Sequence, residues 1–330
     1  MRSILVLSFG LFCFNLCGQH RYMLAFYNVE NLFDTIDDPH VQDNEFLPGA
    51  AKKWNTSRYQ TKLKHLSLAI SSIDHDELPV IAGFCEVENR HVLEDLINQK
   101  ELKNGNYAIV HRDSPDKRGI DCAVIYRRDL VKLEHITFKS VRLPNHKGAS
   151  TRDIIVAKMQ IAGKRRIYLL INHWPSRLGG EEESEANRLA VAGTVKKLCD
   201  SLSFVDPATP QILMGDFNDS PVDKSLSEQL GADTSSRGKS HLVNLTYPLH
   251  KKGLGSYFYK GHWEMLDNII VSRTLLSGSR IKVGQAGIHR ASFLLYKSKQ
   301  GILSPSRTYS GKQYHGGYSD HLPVYIDLIF

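Results

Sequence analysis

Cysteine is scarce in this sequence. Five are present; Cys13 and Cys17 fall in an apolar leader, which leaves Cys85, Cys122 and Cys199. An odd number, with Cys85 and Cys122 set in apolar strand-like runs, argues against a disulfide framework and for buried free thiols. Long hydrophobic runs are equally rare, and beyond the leader none is apolar enough to cross a bilayer. There is no HExxH and no close histidine pair, so nothing points to a zinc hydrolase. There is no GxSxG elbow for a serine hydrolase either. Gly238, Lys239 and Ser240 resemble the end of a phosphate-binding loop, but Asp233 stands where that loop needs glycine. Internal repeats and linkers are also missing, which favours one large domain over two.

What remains is an ordinary globular composition: 330 residues, 42% hydrophobic and 23% charged. That length buries a large core. Arg2, the apolar run Ile4 to Phe14, and Leu16, Cys17 and Gly18 have the basic start, short apolar centre and small exit of a secretory signal. Residues 1–18 are therefore expected to be a signal peptide cleaved near Gly18, giving an exported protein, periplasmic or secreted, with residues 19–330 as its single folded domain. Cys17 makes a poor lipid-anchor site, because Phe14, Asn15 and Leu16 lead into it. Loss of the leader removes Arg2 from the 42 basic residues and none of the 35 acids, so 41 face 35 and the charge is +6. A basic chain attracts polyanions such as nucleic acid, although pairs such as Lys117 and Arg118 or Lys251 and Lys252 are commonly just solvated faces.

Strand-like and helix-like stretches alternate throughout. Arg58 to Ile73 and the stretch after Asn89 carry apolar residues on one helical face, with Asn89 placed to cap, and Glu181 to Asp200 does the same. The apolar runs Met23 to Tyr27, Leu78 to Glu86, Tyr107 to His111, Ile120 to Tyr126, Leu133 to Phe138, Ile154 to Ile161, Arg166 to Ile171, Met265 to Ser272 and Leu322 to Leu328 read as strands. Taken locally, such runs suggest a parallel sheet covered on both faces. Residues 231–262 read as loops and 274–316 as a basic, aromatic insertion.

Chemistry collects at the strand ends. Gln211 to Pro221 (QILMGDFNDSP) runs apolar into Gly215 and then presents Asp216 and Asn218 at alternate positions. They either face one spot, where an acceptor beside an amide orients water, or begin a turn into a helix capped by Asp219 or Ser220. Met23 to Tyr27 exits into Asn28 and Glu30, and Leu78 to Glu86 ends in a carboxylate. Arg166 to Ile171 exits into His173 and Arg177, which read as a phosphate-side pair or as a proline turn. Asp267 is embedded among apolar neighbours and needs a partner. Asp320 and His321 precede the last strand. Carboxylates, amides and histidines without paired cysteines favour Mg2+, with Mn2+ or Ca2+ as alternatives, over zinc.

The stretches YNVENLFD, GFCEVEN, INHWPSR, GDFND, LDNIIVS and SDHLPV, taken in order, resemble the endonuclease/exonuclease/phosphatase superfamily. These are metal-dependent phosphodiesterases typified by pancreatic deoxyribonuclease and the apurinic endonucleases. The resemblance covers essentially the whole chain after the leader. It implies an α/β fold, a four-layer α/β/β/α sandwich with two packed, mainly antiparallel sheets. It implies Glu86 as the main metal ligand, assisted by Asn28, Glu30 and Asp320. Asp216 and Asn218 would orient and deprotonate water, Asp267 would hold a charged His321, and His173 would contact or protonate the phosphate ester. An acid partnering His173 is expected within His111 to Asp116, with Asp113 first. Asp121, Arg152 and Arg177 are the remaining phosphate-side candidates. The expected activity is a monomeric, exported nuclease acting on DNA or RNA. The alternatives are action on lipid headgroups or inositol phosphates, and a scaffold that has lost catalysis. Phe293, Leu294, Leu295 and Tyr296 are the one candidate for a membrane-touching hairpin and read more simply as core.

Overall fold

The computed structural model describes residues 20–144, 151–177, 179–235, 237–278 and 280–330. The expected signal, residues 1–18, lies outside them. Strand β1 (Arg21–Leu32) is buried along almost its whole length. Its alternate residues part to two apolar layers: Leu24 and Phe26 face the second sheet, while Ala25, Tyr27 and Val29 face the helices. β1 pairs in parallel with β2 (Ile81–Val87) and antiparallel with the C-terminal strand Val324–Ile329. β3 (Tyr107–His111) and β4 (Asp121–Arg127) complete that side of the sheet, each pairing antiparallel. At the other edge, Lys282–Val283 and Gly287–Ile288 pair with the C-terminal strand, so part of the 274–316 insertion extends the sheet.

The second sheet runs β5 (Val131–Lys139), β6 (Ile154–Ile161), β7 (Arg165–His173), β8 (Gln211–Asp216), the strand Asp267–Ser272, then Leu242–Asn244 and Ala232–Asp233. The last two, with the short helix Tyr247–Lys251, lie in the segment expected to be loop only. Within this sheet β7 and β8 run parallel, and most other neighbours are antiparallel. The local expectation of a parallel sheet is thereby corrected. These strands are apolar on both faces because sheet packs on sheet within and helices pack outside, and helices cross over between the parallel pairs, Thr56–Ser71 between β1 and β2 and Glu181–Val205 between β7 and β8.

Leu24, Phe26, Ile81, Leu169, Ile171, Ile212, Met214 and Ile269 fill the layer between the sheets. Outside the first sheet lie α1 (Thr56–Ser71) and α2 (Arg90–Ile97), whose Leu63, Leu66, Leu93 and Leu96 meet Ala25, Ala82 and Phe84. Asn55 and Asn89 cap them, accepting from the backbone N–H of Arg58 and Val92. Outside the second sheet lies α3 (Glu181–Val205), with Val191, Ala192 and Val195 against Leu170, Leu213 and Ile270. The result is the four-layer α/β/β/α sandwich. One reading is revised: of the four apolar residues 293–296, Leu294 is buried, but Phe293 and Tyr296 are 37% and 56% exposed.

Candidate active site

Strand register assembles the site. His173 at the end of β7 is paired with Asp216 at the end of β8, and Asp216 is paired with Asp267 on the next strand. Three chemistry-bearing side chains thus share one row. Gly215 makes that row possible: a Cβ there would lie 2.4 Å from the carbonyl oxygen of Asn172. The facing sheet contributes Asn28 and Glu86, where the ladders between β1, β2 and β4 slip register. Glu30, Asn31 and Glu86 have φ of 47°, 55° and 64°, and Asn218 has 52°. Left-handed backbone costs a side-chain-bearing residue about 1–3 kcal/mol, and bulges re-aim the side chains they carry. Here both devices turn groups towards one cleft of about 630 Å³, lined by Glu86, Arg118, His173, Arg177, Asp216, Asn218, Tyr257, Tyr259, Lys260, Asp320 and His321.

Asp216 is the hub. Its Oδ1 accepts from the backbone N–H of Asn218 (2.9 Å) and its Oδ2 from Asn28 Nδ2 (3.0 Å). Nε2 of His173 and Nε2 of His321 stand 3.8 and 3.7 Å from the same Oδ2. Burial pushes the Asp216 carboxyl up, partly offset by the His321 charge. The two histidines are set in opposite states. Burial alone would discharge His321, but Asp267 and Asp216 outweigh it and hold its pKa well above the usual range. Nδ1 of His321 donates to Asp267 Oδ2 at 2.6 Å. His173 is pushed well below the usual range by burial and by the Arg152 and Arg118 charges. Its Nδ1 accepts from Arg152 Nε at 3.1 Å, so the neutral ring carries its proton on Nε2.

The residues expected to hold a metal divide into two pairs. Glu86 accepts from the Asn31 N–H (3.0 Å) and weakly from Asn28 Nδ2 (3.4 Å), and faces the cleft with oxygen to spare. Asp320 faces the same cleft, its carboxyl pushed up by burial and by the Glu86 charge despite His321. Two crowded carboxylates with an all-oxygen donor set fit a hard divalent cation. Asn28 and Glu30 serve differently. The Asn28 carbonyl accepts from the Glu30 N–H (3.0 Å), so its amide N–H groups, not its oxygen, face Glu86 and Asp216. The Glu30 carboxylate accepts from the backbone N–H of Thr308 (2.6 Å) and Tyr309 (3.3 Å), with Lys62 Nζ at 3.9 Å. It anchors the 308–309 turn. Cys85 also lies near His173 and Asp216, and burial pushes its thiol well up.

The phosphate-side candidates are sorted by their partners. Arg177 lines the cleft and is tied to the Asn218 carbonyl (2.8 Å), Asp223 (2.9 Å), Asp219 (3.3 Å) and Glu264 (3.4 Å). Arg152 is buried, donating to His173, to the Trp174 carbonyl (3.1 Å) and to Asp116 (3.4 Å). It acts on His173, in the place expected for an acid. Asp113 is not that acid; its side chain is 86% exposed beside His111. Asp121 is turned to His111 and the Ser114 N–H. Asp219 caps no helix and instead pairs with Arg188 at 2.8 Å. Sequence reasoning passed over Arg118, Tyr257, Tyr259 and Lys260 on the cleft wall. Arg118 had been read as half of a solvated basic pair, and the hairpin Tyr257–Tyr259/His262–Glu264 as loop.

Solved structures with this architecture include an endonuclease/exonuclease/phosphatase family protein from Bacteroides thetaiotaomicron. It is 17% identical, with 95% of this chain and 99% of that one covered, at a TM-score of 0.59. A mannosyl-6-phosphatase from Bacteroides thetaiotaomicron VPI-5482 is 18% identical over 94% and 100% of the two chains, at 0.57. TDP2 from D. rerio, complexed with a single-strand DNA product, is 13% identical over 93% and 98%, at 0.56. Identities this low speak for the fold alone. Comparison with curated proteins gives no match. The family model described as Endonuclease/Exonuclease/phosphatase family matches residues 23–329, and the chain belongs to that family.

Proposed function

We propose that the protein is an exported, divalent-metal-dependent phosphoesterase that cleaves phosphodiester bonds of DNA or RNA by in-line attack of water. The observation that carries this reading is Asp216 between a charged and a neutral imidazole, with Glu86 and Asp320 alongside. Family membership supports phosphoester hydrolysis. The leader, Arg2 to Gly18, supports export. The cleft wall supports a nucleic-acid substrate. Tyr257 and Tyr259 stack at 6.4 Å and 20°, Lys260 lies over Tyr259, and Arg118 lines the same cleft. Aromatic faces with cations suit bases and backbone phosphates.

Asp216 accepts the proton of a water that Asn218 helps orient, and so aims the attack at phosphorus. Neutral His173 donates its Nε2–H to a phosphate oxygen. Cationic His321 stabilises the negative charge that develops there, and Asp267 keeps it charged. As the bond from water to phosphorus forms, the P–O bond opposite it breaks, and the leaving ester oxygen takes a proton from solvent. A divalent cation on Glu86 and Asp320 would add Lewis-acid charge at a non-bridging oxygen.

A phosphomonoester reading comes second, because the family described as Endonuclease/Exonuclease/phosphatase includes phosphatases. The deciding assay offers plasmid DNA, single-stranded DNA, RNA, sphingomyelin, inositol phosphates and mannose 6-phosphate, with Mg2+ or Mn2+ and with chelator. The protein is compared with His321→Ala. Metal-dependent nucleic-acid cleavage lost in the variant is the expected result. Turnover of the monoesters or lipid alone would overturn the substrate and keep the chemistry, and no turnover by a metal-loaded protein would overturn both.

A further inference from the structure

A second cluster of ligating side chains stands apart from the cleft. His111 closes β3 and is paired with Ala123 of β4, two residues beyond Asp121. Nε2 of His111 lies 3.3 Å from Asp121 Oδ2, and its Nδ1 lies 3.9 Å from Asp113 Oδ1. One ligand atom from each of the three residues falls within 4.8 Å of the others. The side chains of His111 and Asp121 are 2% and 3% exposed. Among the described residues, His111 Nε2 has no hydrogen-bond partner; it is near Asp121 but lacks the alignment a hydrogen bond needs. The other oxygen of Asp121 accepts from the Ser114 N–H at 2.9 Å, so Oδ2 is the one left towards the ring. A buried polar atom without a partner is costly, and the proposed hydrolysis uses none of these three groups.

We infer that His111, Asp121 and Asp113 form a binding site for a divalent transition-metal ion, zinc fitting best. One imidazole nitrogen with two carboxylates is a mixed donor set that suits zinc better than magnesium or calcium, which take oxygen throughout. A separation of 3.3 Å between Nε2 and Oδ2 is what two ligands about 2.0–2.2 Å from one ion subtend. Asp113, exposed on the Nδ1 side of the ring, would have to turn onto the ion, and water would complete the shell. The ion would clamp both ends of the bend between β3 and β4. That bend carries Arg118 into the cleft and Asp116 to within 3.4 Å of Arg152, the residue that donates to His173. The site is therefore a positioning one, separate from the cation on Glu86 and Asp320.

The test titrates the chelator-stripped protein with Zn2+ by calorimetry and with Co2+ by visible absorption, in a Glu86→Gln background that weakens the cleft site. The expected result is one equivalent bound, with cobalt bands of nitrogen and oxygen ligation and a melting temperature raised by zinc. Adding Asp113→Ala should weaken binding 10-fold or more and leave the metal-free melting temperature unchanged; adding His111→Asn should abolish binding. If the His111 variant fails to fold, the exposed Asp113 position decides alone. Absence of zinc binding in Glu86→Gln, or unchanged affinity on adding Asp113→Ala, overturns the inference.

Discussion

Asp267 governs the charge in the cleft. It is fully buried, and one of its oxygens is taken by His321 Nδ1. Asp267→Asn keeps the volume and removes the charge, so the His321 pKa should drop. A group whose folded pKa is raised stays charged up to that raised value. With the carboxylate gone, the cation is lost at lower pH, so the alkaline limb of kcat should move down in pH. At neutral pH, kcat should fall about 10²–10⁴-fold, read from steady-state rates beside an NMR titration of the histidine. Much of this was legible residue by residue. An aspartate between Leu266 and Ile269 announced a missing partner, and His321 is placed to supply it. The Arg152 contact with His173 was not legible, because it joins residues from separate segments and brings a cation where an acid was expected. Asn28 was legible as a position but not as a role, since only the Glu30 N–H reveals which end of its amide faces the carboxylates.

At the scale of elements, the close approach of β7 and β8 rests on Gly215. Gly215→Ala must push the Asn172 carbonyl away or tilt the strands. The expected cost is about 1–3 kcal/mol, seen as a lowered midpoint in urea, together with a loss of activity larger than the loss of stability predicts. The strands themselves were readable from their apolar runs and the helices from their faces and asparagine caps. Strand direction was not, since a run buried on both faces looks the same under a helix or under a second sheet. The register slips at Asn28 to Leu32 and Phe84 to Val87 were equally silent. Glu30, Asn31 and Glu86 adopt left-handed backbone without glycine, so the sequence carries no local mark of it. β1 also runs on through Leu32, where the apolar run had suggested an end at Tyr27.

For the molecule as a whole, pH and salt act in separate places. Burial pushes the Glu88 carboxyl from 4.5 up to about 8, with Asp34, Asp43 and Asp38 adding repulsion against the favourable Asp34 N–H. Its folded pKa lies above its unfolded one. Its contribution to stability is therefore complete below about pH 4.5 and is lost as pH rises through about 8. Glu88→Gln, which still offers an acceptor to Asp34, should flatten the fall of melting temperature across that range, as followed by calorimetry. Salt should act on substrate capture. With a net charge of +6 once the leader is removed (41 basic residues against 35 acidic), KM for nucleic acid should rise steeply with ionic strength while kcat changes little. Finally, β1 lies between β2, early in the chain, and Val324–Ile329, late in it. Until that last strand is synthesised, the backbone from Arg21 to Phe26 is an open edge of the kind that recruits strands from neighbouring molecules. A nascent chain thus carries an adhesive edge and an unassembled His321, and a single late pairing event covers the first and brings the second to its partners.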